Sequence, residues 1–259
     1  MSYYYPMKLA LISHKIGPVS PITPPHVMEP GMPPMDLSFM LGPQTVATHT
    51  FATAPPLDVL LMPGGLGTVA IAQTGDRSIE TFLRERFNVT DYVLSVCNGA
   101  SSLARAGVLD GRRATTNKLL WSTFTGSFAR ELGTAGNITW VPSARWVEDG
   151  KVWTSSGVAA GIDMTLAFLR KIYGAEKPDL AVNAIEYAPH TDPHWDPFSV
   201  VHKVSALPRR GDAPTDFEIG SRRRHEPVTG RLRWPGGHSR LGTAERASGS
   251  CAAHSGGWN

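Results

Sequence analysis

The sequence predicts an α/β protein built on a doubly wound, mostly parallel sheet with helices on both faces. Two observations carry that expectation. Short, predominantly apolar runs, at 58–62 and 92–96, alternate with helix-length segments. Strands covered by helices on both faces read as such continuous runs, whereas half-exposed strands alternate. Each run also stops at a glycine-containing turn, Pro63-Gly64-Gly65 and Cys97-Asn98-Gly99. Those turns fall at the carboxyl ends of the strands, where such sheets place their ligand crevice.

Taken in order, residues 8–13 read as a short buried strand. Residues 18–56 hold ten of the 21 prolines. Proline fixes φ and removes a backbone donor, so an irregular excursion is expected there, with one strand at 44–51. After the strand at 58–62 comes a helix at 78–87 with acids and bases on its outer face. The strand at 92–96 leads into a helix at 100–106 that stops at Gly107. A short strand at 113–116, a helix around 119–132 and a strand at 138–141 come next. Residues 145–154 read as a hairpin turned by Asp149-Gly150. Helices at 158–173 and 178–187 complete the pattern. Beyond about 207 the periodicity disappears, and this tail is expected to be disordered because it cannot bury enough apolar area to offset chain entropy. The expected organisation is a short strand and proline-rich segment at 1–56, the α/β core at 57–206 and a basic tail at 207–259.

Charge narrows the function classes. The chain carries 25 Lys and Arg against 22 Asp and Glu. Nine of the arginines but only five of the acids lie beyond residue 206, which leaves the first 206 residues with 16 basic and 17 acidic groups. The folded body therefore lacks the basic excess that a nucleic-acid surface requires. No run of apolar residues is long enough to span a membrane, and the first residues lack the layout of a secretory leader, so a cytoplasmic location is expected. Two cysteines, Cys97 and Cys251, exclude a disulfide scaffold and a cysteine-only metal cluster.

The strongest chemical signal is Ser95-Val96-Cys97-Asn98-Gly99-Ala100, between a strand and a helix. A nucleophile at such a junction sits on a tight turn, for which Gly99 leaves room. The adjoining helix start is expected to favour the thiolate and to lower the thiol pKa. On the spacing alone, a buried structural cysteine fits equally well. The second feature is Met62-Pro63-Gly64-Gly65-Leu66-Gly67. Its glycines allow close backbone approach, and beside the cysteine turn it would supply an oxyanion hole. The spacing is not that of a dinucleotide fingerprint, and no cofactor is expected. His190, Asp192, His194 and Asp196 offer metal-ligand chemistry, but Pro193 and Pro197 interrupt any helix and no third cluster is evident. A capping segment is preferred and no metal is expected. Trp121, Trp140, Trp146 and Trp153 are expected in the core, in the hairpin or at a dimer contact.

Four segments in order, Asp58-Val-Leu-Leu-Met-Pro-Gly-Gly65, Val93-Leu-Ser-Val-Cys-Asn-Gly99, Ala106-Gly-Val-Leu-Asp-Gly-Arg-Arg-Ala-Thr-Thr116 and Ser156-Gly-Val-Ala-Ala-Gly-Ile-Asp163, resemble the DJ-1/PfpI superfamily. Within it the chain looks most like the isonitrile hydratase branch. The resemblance implies a flavodoxin-like, class I glutamine-amidotransferase-like fold and a homodimer. It implies Cys97 as the elbow nucleophile and backbone N–H groups around Gly65 and Asn98 as oxyanion donors. Gly64, Leu66 and Gly99 would shape the same site, and Asn98 would donate its amide to a substrate. Three departures stand out. Asn98 occupies a position where many relatives have His. Thr115-Thr116-Asn117-Lys118 stands where many read Thr-Thr-His-Trp. The usual first strand-helix unit, with its acidic residue, is expected to be absent. Asp163, placed in the first turn of the helix at 158–173, is the substitute carboxylate to consider. A cap or pocket-edge role is preferred for it over a catalytic one.

The resemblance implies hydration of an isonitrile to an N-substituted formamide, in a secondary-metabolism setting, with a small molecule as the partner. The alternatives are a glyoxalase-like or deglycase-like enzyme acting on 2-oxoaldehydes, and a non-catalytic ligand-binding or regulatory module.

Overall fold

A computed structural model describes residues 7–20, 26–27, 31, 33–34, 36, 42–126 and 129–204. The tail expected beyond 206, with Cys251, lies outside the described residues. In chain order the elements begin with four short strands, β1 (Ile12–Ser13), β2 (Gly17–Val19), β3 (Thr45–Ala47) and β4 (His49–Thr50). Then come β5 (Val59–Met62), α1 (Gly67–Thr74), α2 (Ser78–Phe87), β6 (Tyr92–Ser95) and α3 (Gly99–Arg105). They lead into β7 (Arg113–Ala114), α4 (Trp121–Thr125), β8 (Thr139–Trp140), β9 (Trp146–Asp149) and β10 (Val152–Ser155). Three helices close the described chain: α5 (Val158–Tyr173), α6 (Glu176–Ala184) and α7 (Phe198–Val201).

The central sheet has the order β5-β6-β10-β9, with β5, β6 and β10 parallel and β9 antiparallel beside β10. Successive side chains along a strand point to opposite faces, and here both faces are apolar. Leu60, Val93 and Val152 pack on Phe82 and Leu83 of α2 and on Ala100 and Leu103 of α3. Leu94 and Trp153 pack on the other side against Met164 and Phe168 of α5, joined by Trp146. Ile12, Phe51, Ala54 and Leu57 belong to the first of these clusters, so the short N-terminal strands rest on the same core. Trp121 and Trp140 meet edge to face, with ring centroids 6.1 Å apart.

The hairpin of β9 and β10 turns at Gly150, whose φ of 63° suits glycine. The strand expected at 44–51 divides in two because it changes partner. Ala47 pairs with Gly17 and His49 with Ile12, and Thr48 between them bonds Leu11 through its backbone N–H and its hydroxyl. The long helix expected around 119–132 is only α4, because Gly126 swings to φ −98°, ψ −145° and ends it. Helix α1 has no counterpart in the sequence pattern. It has no side-chain cap, no acid in its first turn and no base in its last, so its ends leave no signal. Gln73 on α1 bonds both the N–H and the carbonyl of Val27, which pins part of the proline-rich excursion to the body. Among the described residues no helix precedes α1, and none is long and apolar enough to cross a membrane.

Gly161 shows how tightly α5 seats on the sheet. A Cβ there would meet Val96 Cγ1 at 2.5 Å. Alanine in place of glycine on an exposed helix usually stabilises, but at Gly161 overpacking dominates. Gly161→Ala is expected to cost about 1–3 kcal/mol in urea unfolding. Adding Val96→Ala in the same chain should recover part of that loss, and no recovery would show that the helix does not seat against Val96.

Candidate functional site

Two strand ends meet at the site. Strand β5 stops at Met62 and runs into Pro63-Gly64-Gly65-Leu66, and the neighbouring β6 stops at Ser95 and runs into Val96-Cys97-Asn98. Because β5 and β6 are parallel and in register, with Met62 opposite Ser95, both loops emerge on the same edge. They are packed too closely for side chains between them. A Cβ on Gly64 would lie 2.6 Å from Cys97 Cβ, and one on Gly99 would lie 2.4 Å from the Met62 carbonyl oxygen.

Cys97 is the non-glycine residue on this turn with positive φ, at 59°. An L-residue held there stores backbone strain that the surroundings must impose. Three groups hold it. Asn98, 1% exposed, accepts from the Gly65 N–H through Oδ1 at 2.7 Å and donates through Nδ2 to the Gly65 carbonyl at 2.9 Å. Thr116 donates its hydroxyl to the Cys97 carbonyl at 3.1 Å. The backbone of Asn98 accepts from the Ser101 hydroxyl at 2.7 Å inside α3.

The thiol is half-buried, and its proton affinity reflects that. Burial pushes the Cys97 thiol above its ordinary value, while the Asn98 N–H and the Asn117 side chain, both bonded to the sulfur, pull it down. The lowered pKa expected from the helix start is therefore corrected. Desolvation outweighs both hydrogen bonds.

The other expected site residues separate into groups. Gly64, Gly65 and Gly99 lie where the two loops touch, and the Gly65 N–H is already donated to Asn98, whereas Leu66 packs against Val69, Phe124 and Leu132. The Asn98 amide is likewise committed to the loop and not turned toward a ligand, so what Asn98 offers the sulfur is its backbone N–H. Leu66 stands just before α1. Asp163 lies in the second turn of α5, not the first, and its side chain is fully buried. Its Oδ2 receives Arg145 Nε at 2.6 Å and a second guanidinium nitrogen at 2.5 Å, and its Oδ1 receives the Tyr187 hydroxyl at 2.6 Å and the His190 N–H at 3.1 Å. That is the arrangement of an internal brace, and it also pushes the Tyr187 phenol up to about 12, through burial first and the Asp163 hydrogen bond second.

Two residues gain importance that the sequence did not assign. Asn117 stands where the resemblance leads one to look for His, and its amide reaches the thiol. It also lines a cavity of about 310 Å³ together with Lys118, Arg145, Val158, Asp196 and Phe198. Lys118 is buried there, its ammonium 3.2 Å from Asp196, 2.6 Å from the Thr115 hydroxyl and 3.1 Å from the Ala144 carbonyl. Burial outweighs the Asp196 charge and brings the Lys118 pKa down to about 8. The segment considered for metal ligation closes this side of the molecule. Asp196 faces Lys118, His190 stacks on Trp195 with centroids 4.0 Å apart, and the Pro193 carbonyl accepts the Arg145 N–H. Among the described residues no group of three or more His, Cys, Asp or Glu side chains is placed to hold a metal ion. The sequence singled out Asn117 only as a departure from His, with no role attached; the Lys118–Asp196 pair spans 78 positions and has no local signal.

Residues 36–171 match the DJ-1/PfpI family. An isonitrile hydratase from Pseudomonas putida is 36% identical over 148 residues, which cover 57% of this chain and 60% of that protein. The chain thus matches about three fifths of that relative's length. A ThiJ/PfpI family protein from Pseudomonas syringae, known from its crystal structure, is 28% identical with a TM-score of 0.51, covering 71% of this chain and 64% of its own. DJ-1beta of Drosophila melanogaster is 23% identical with a TM-score of 0.45, covering 56% and 73% respectively.

The thiol environment makes a pH prediction. In a Cys251→Ala background, iodoacetamide should alkylate Cys97 with a midpoint above the value of about 8.5 for a free thiol. Asn117→Ala should move that midpoint higher still, because the lost amide favoured the thiolate. A midpoint below that of a free thiol, or one that Asn117→Ala leaves in place, would contradict the described contacts.

Proposed function

Because this chain belongs to the DJ-1/PfpI family, we propose that it is a cysteine-dependent hydratase that converts an isonitrile to an N-substituted formamide. The observation that carries the proposal is the thiol's setting: Cys97 on a turn with φ of 59°, its sulfur touched by the Asn98 N–H and the Asn117 amide. The 36% identity to an isonitrile hydratase over 148 residues supports the choice of reaction.

The raised thiol pKa suits the first step. Isonitrile hydration places a new hydrogen on the terminal carbon, and a protonated thiol carries one. Sulfur bonds to the terminal carbon while the thiol proton is delivered to that same carbon, giving a thioformimidate, R–N=CH–S–Cys97. Water then adds to that carbon and the nitrogen takes a proton. The C–S bond breaks, the carbonyl forms, and the sulfur leaves with the proton from the former water hydroxyl. The sum is isonitrile plus water giving formamide, with the thiol regenerated. With the Gly65 N–H held by Asn98, the Asn98 N–H and the Leu66 N–H are the donors proposed to face charge that develops during these steps. Asn117 holds the sulfur in place and borders the cavity proposed to take the side group of the substrate. A 2-oxoaldehyde reaction would call for a carboxylate or imidazole acting on the thiol, and among the described residues the groups bonded to it are amides.

The decisive comparison is formamide formation from a simple aryl isonitrile by the wild-type chain and by Cys97→Ala. Wild-type turnover with loss of at least about 10³-fold in the variant is the expected result. A folded wild type that forms no formamide would sink hydration of this substrate class.

A further inference from the structure

The end of α3 remote from Cys97 carries a second cavity, of about 400 Å³. Helix α3 starts at Gly99 beside the thiol turn and finishes at Arg105, seven residues or about 10 Å further on. The cavity therefore opens away from the thiol and shares no lining residue with the Asn117 pocket. Its charged lining is Arg84 from α2, Arg105 from α3, Arg130 from the segment after α4, and one acid, Asp110. Its volume falls in the range of small-ligand sites.

The three arginines are not equivalent. Arg105 is fixed: its guanidinium lies 2.9 Å from Glu80, with both side chains 1% exposed, and donates to the Asp76 carbonyl at 3.3 Å. It forms a rigid floor whose charge is largely answered by Glu80. Arg84 and Arg130 make no ion pair or side-chain hydrogen bond among the described residues. Elsewhere Arg86, Arg112, Arg145 and Arg170 each have a carbonyl or carboxylate partner. Two exposed guanidiniums without partners among the described residues, against the single acid Asp110, leave this concavity with a net positive lining.

The walls between them are made of small residues. Gly107 and Gly133 hold φ values of 76° and 71°, and a Cβ on Gly136 would strike Asp110 Oδ1 at 2.3 Å. The glycine backbone thus leaves space for a compact ligand and seats the Asp110 carboxylate against Gly136. Guanidinium forks match the geometry of phosphate oxygens, and two forks suit a dianion better than a singly charged carboxylate. Asp110, seated beside them, is an acceptor suited to a hydroxyl adjoining such a phosphate.

We propose that this cavity is a binding site for a small phosphate monoester, held by Arg84 and Arg130 above the fixed Arg105–Glu80 pair. The test is calorimetric titration of the full chain with inorganic phosphate and with glycerol 3-phosphate at constant ionic strength. Sodium acetate serves as the carboxylate arm. Saturable binding of both phosphates is expected, with glycerol 3-phosphate the tighter and acetate the weakest. Arg84→Gln and Arg130→Gln should each weaken phosphate binding by roughly tenfold or more. Both side chains are exposed, so the variants should keep the wild-type unfolding midpoint, which is measured alongside. Acetate binding as well as phosphate, or phosphate binding unchanged in the double variant, would overturn the proposal. So would the absence of saturable binding to the wild-type chain. Formamide formation plays no part in these readouts, so the outcome is independent of the reaction proposed for Cys97.

Discussion

The Asn98 side chain is the interaction on which the Cys97 turn depends. Parallel strands deliver two loops to one edge, but the sheet ladder ends at Met62 and Ser95 and cannot hold the loops beyond them. A single buried amide, bonded to both the N–H and the carbonyl of Gly65, takes over from the ladder at that point. Each such bond contributes only about 1 kcal/mol net, yet an amide left buried without partners would cost more than that. The contact therefore works as a requirement: with the loops apart, Asn98 has no satisfied place to go. Gly64 and Gly99 are the steric side of the same arrangement, since a methyl group at either would collide with the opposing loop. Strain at Cys97 is sustained because the clamp, the Thr116 hydroxyl and the start of α3 all act on one residue.

Around this turn the protein assembles its polar interior from paired charges. Arg145 with Asp163, Lys118 with Asp196 and Arg105 with Glu80 are all nearly inaccessible to water. Buried pairs of this kind recover little net stability, because desolvation offsets the attraction; removing one partner, however, strands the other. Their consequence here is positional. Asp163 gathers donors from Arg145, Tyr187 and His190, and Lys118 gathers Asp196, so the chain after α6 is fastened over the end of the sheet. That fastening builds the cavity beside Asn117 from residues far apart in sequence. The thiol, by contrast, is bonded among the described residues by amides, and burial is the largest influence on its proton affinity.

The chain's own pattern made the α/β class, the central parallel strands, helices α2, α3 and α5, the Gly150 hairpin and the cysteine turn legible. All of these are local: a continuous apolar run, an amphipathic period, or a glycine where φ must be positive is written within a few residues. Helix α4 ended early because the single residue Gly126 outweighed a broader helical tendency, and α1 was hidden because its ends carry no capping residues. The division of β3 from β4 is a matter of which strand lies alongside, and that is not encoded by the segment itself.

At the site the same line separates what was readable from what was not. Sequence alone determined that Cys97 sits between a strand and a helix next to a Gly64-Gly65 loop, because strand ends and tight turns depend on neighbouring residues. Tertiary structure decided that Asn98 clamps a loop, that Asp163 braces the interior, that Asn117 reaches the sulfur and that burial raises the thiol pKa. Each of these depends on which groups the fold brings within a hydrogen bond and on how much water it removes, and neither quantity is a property of adjacent residues.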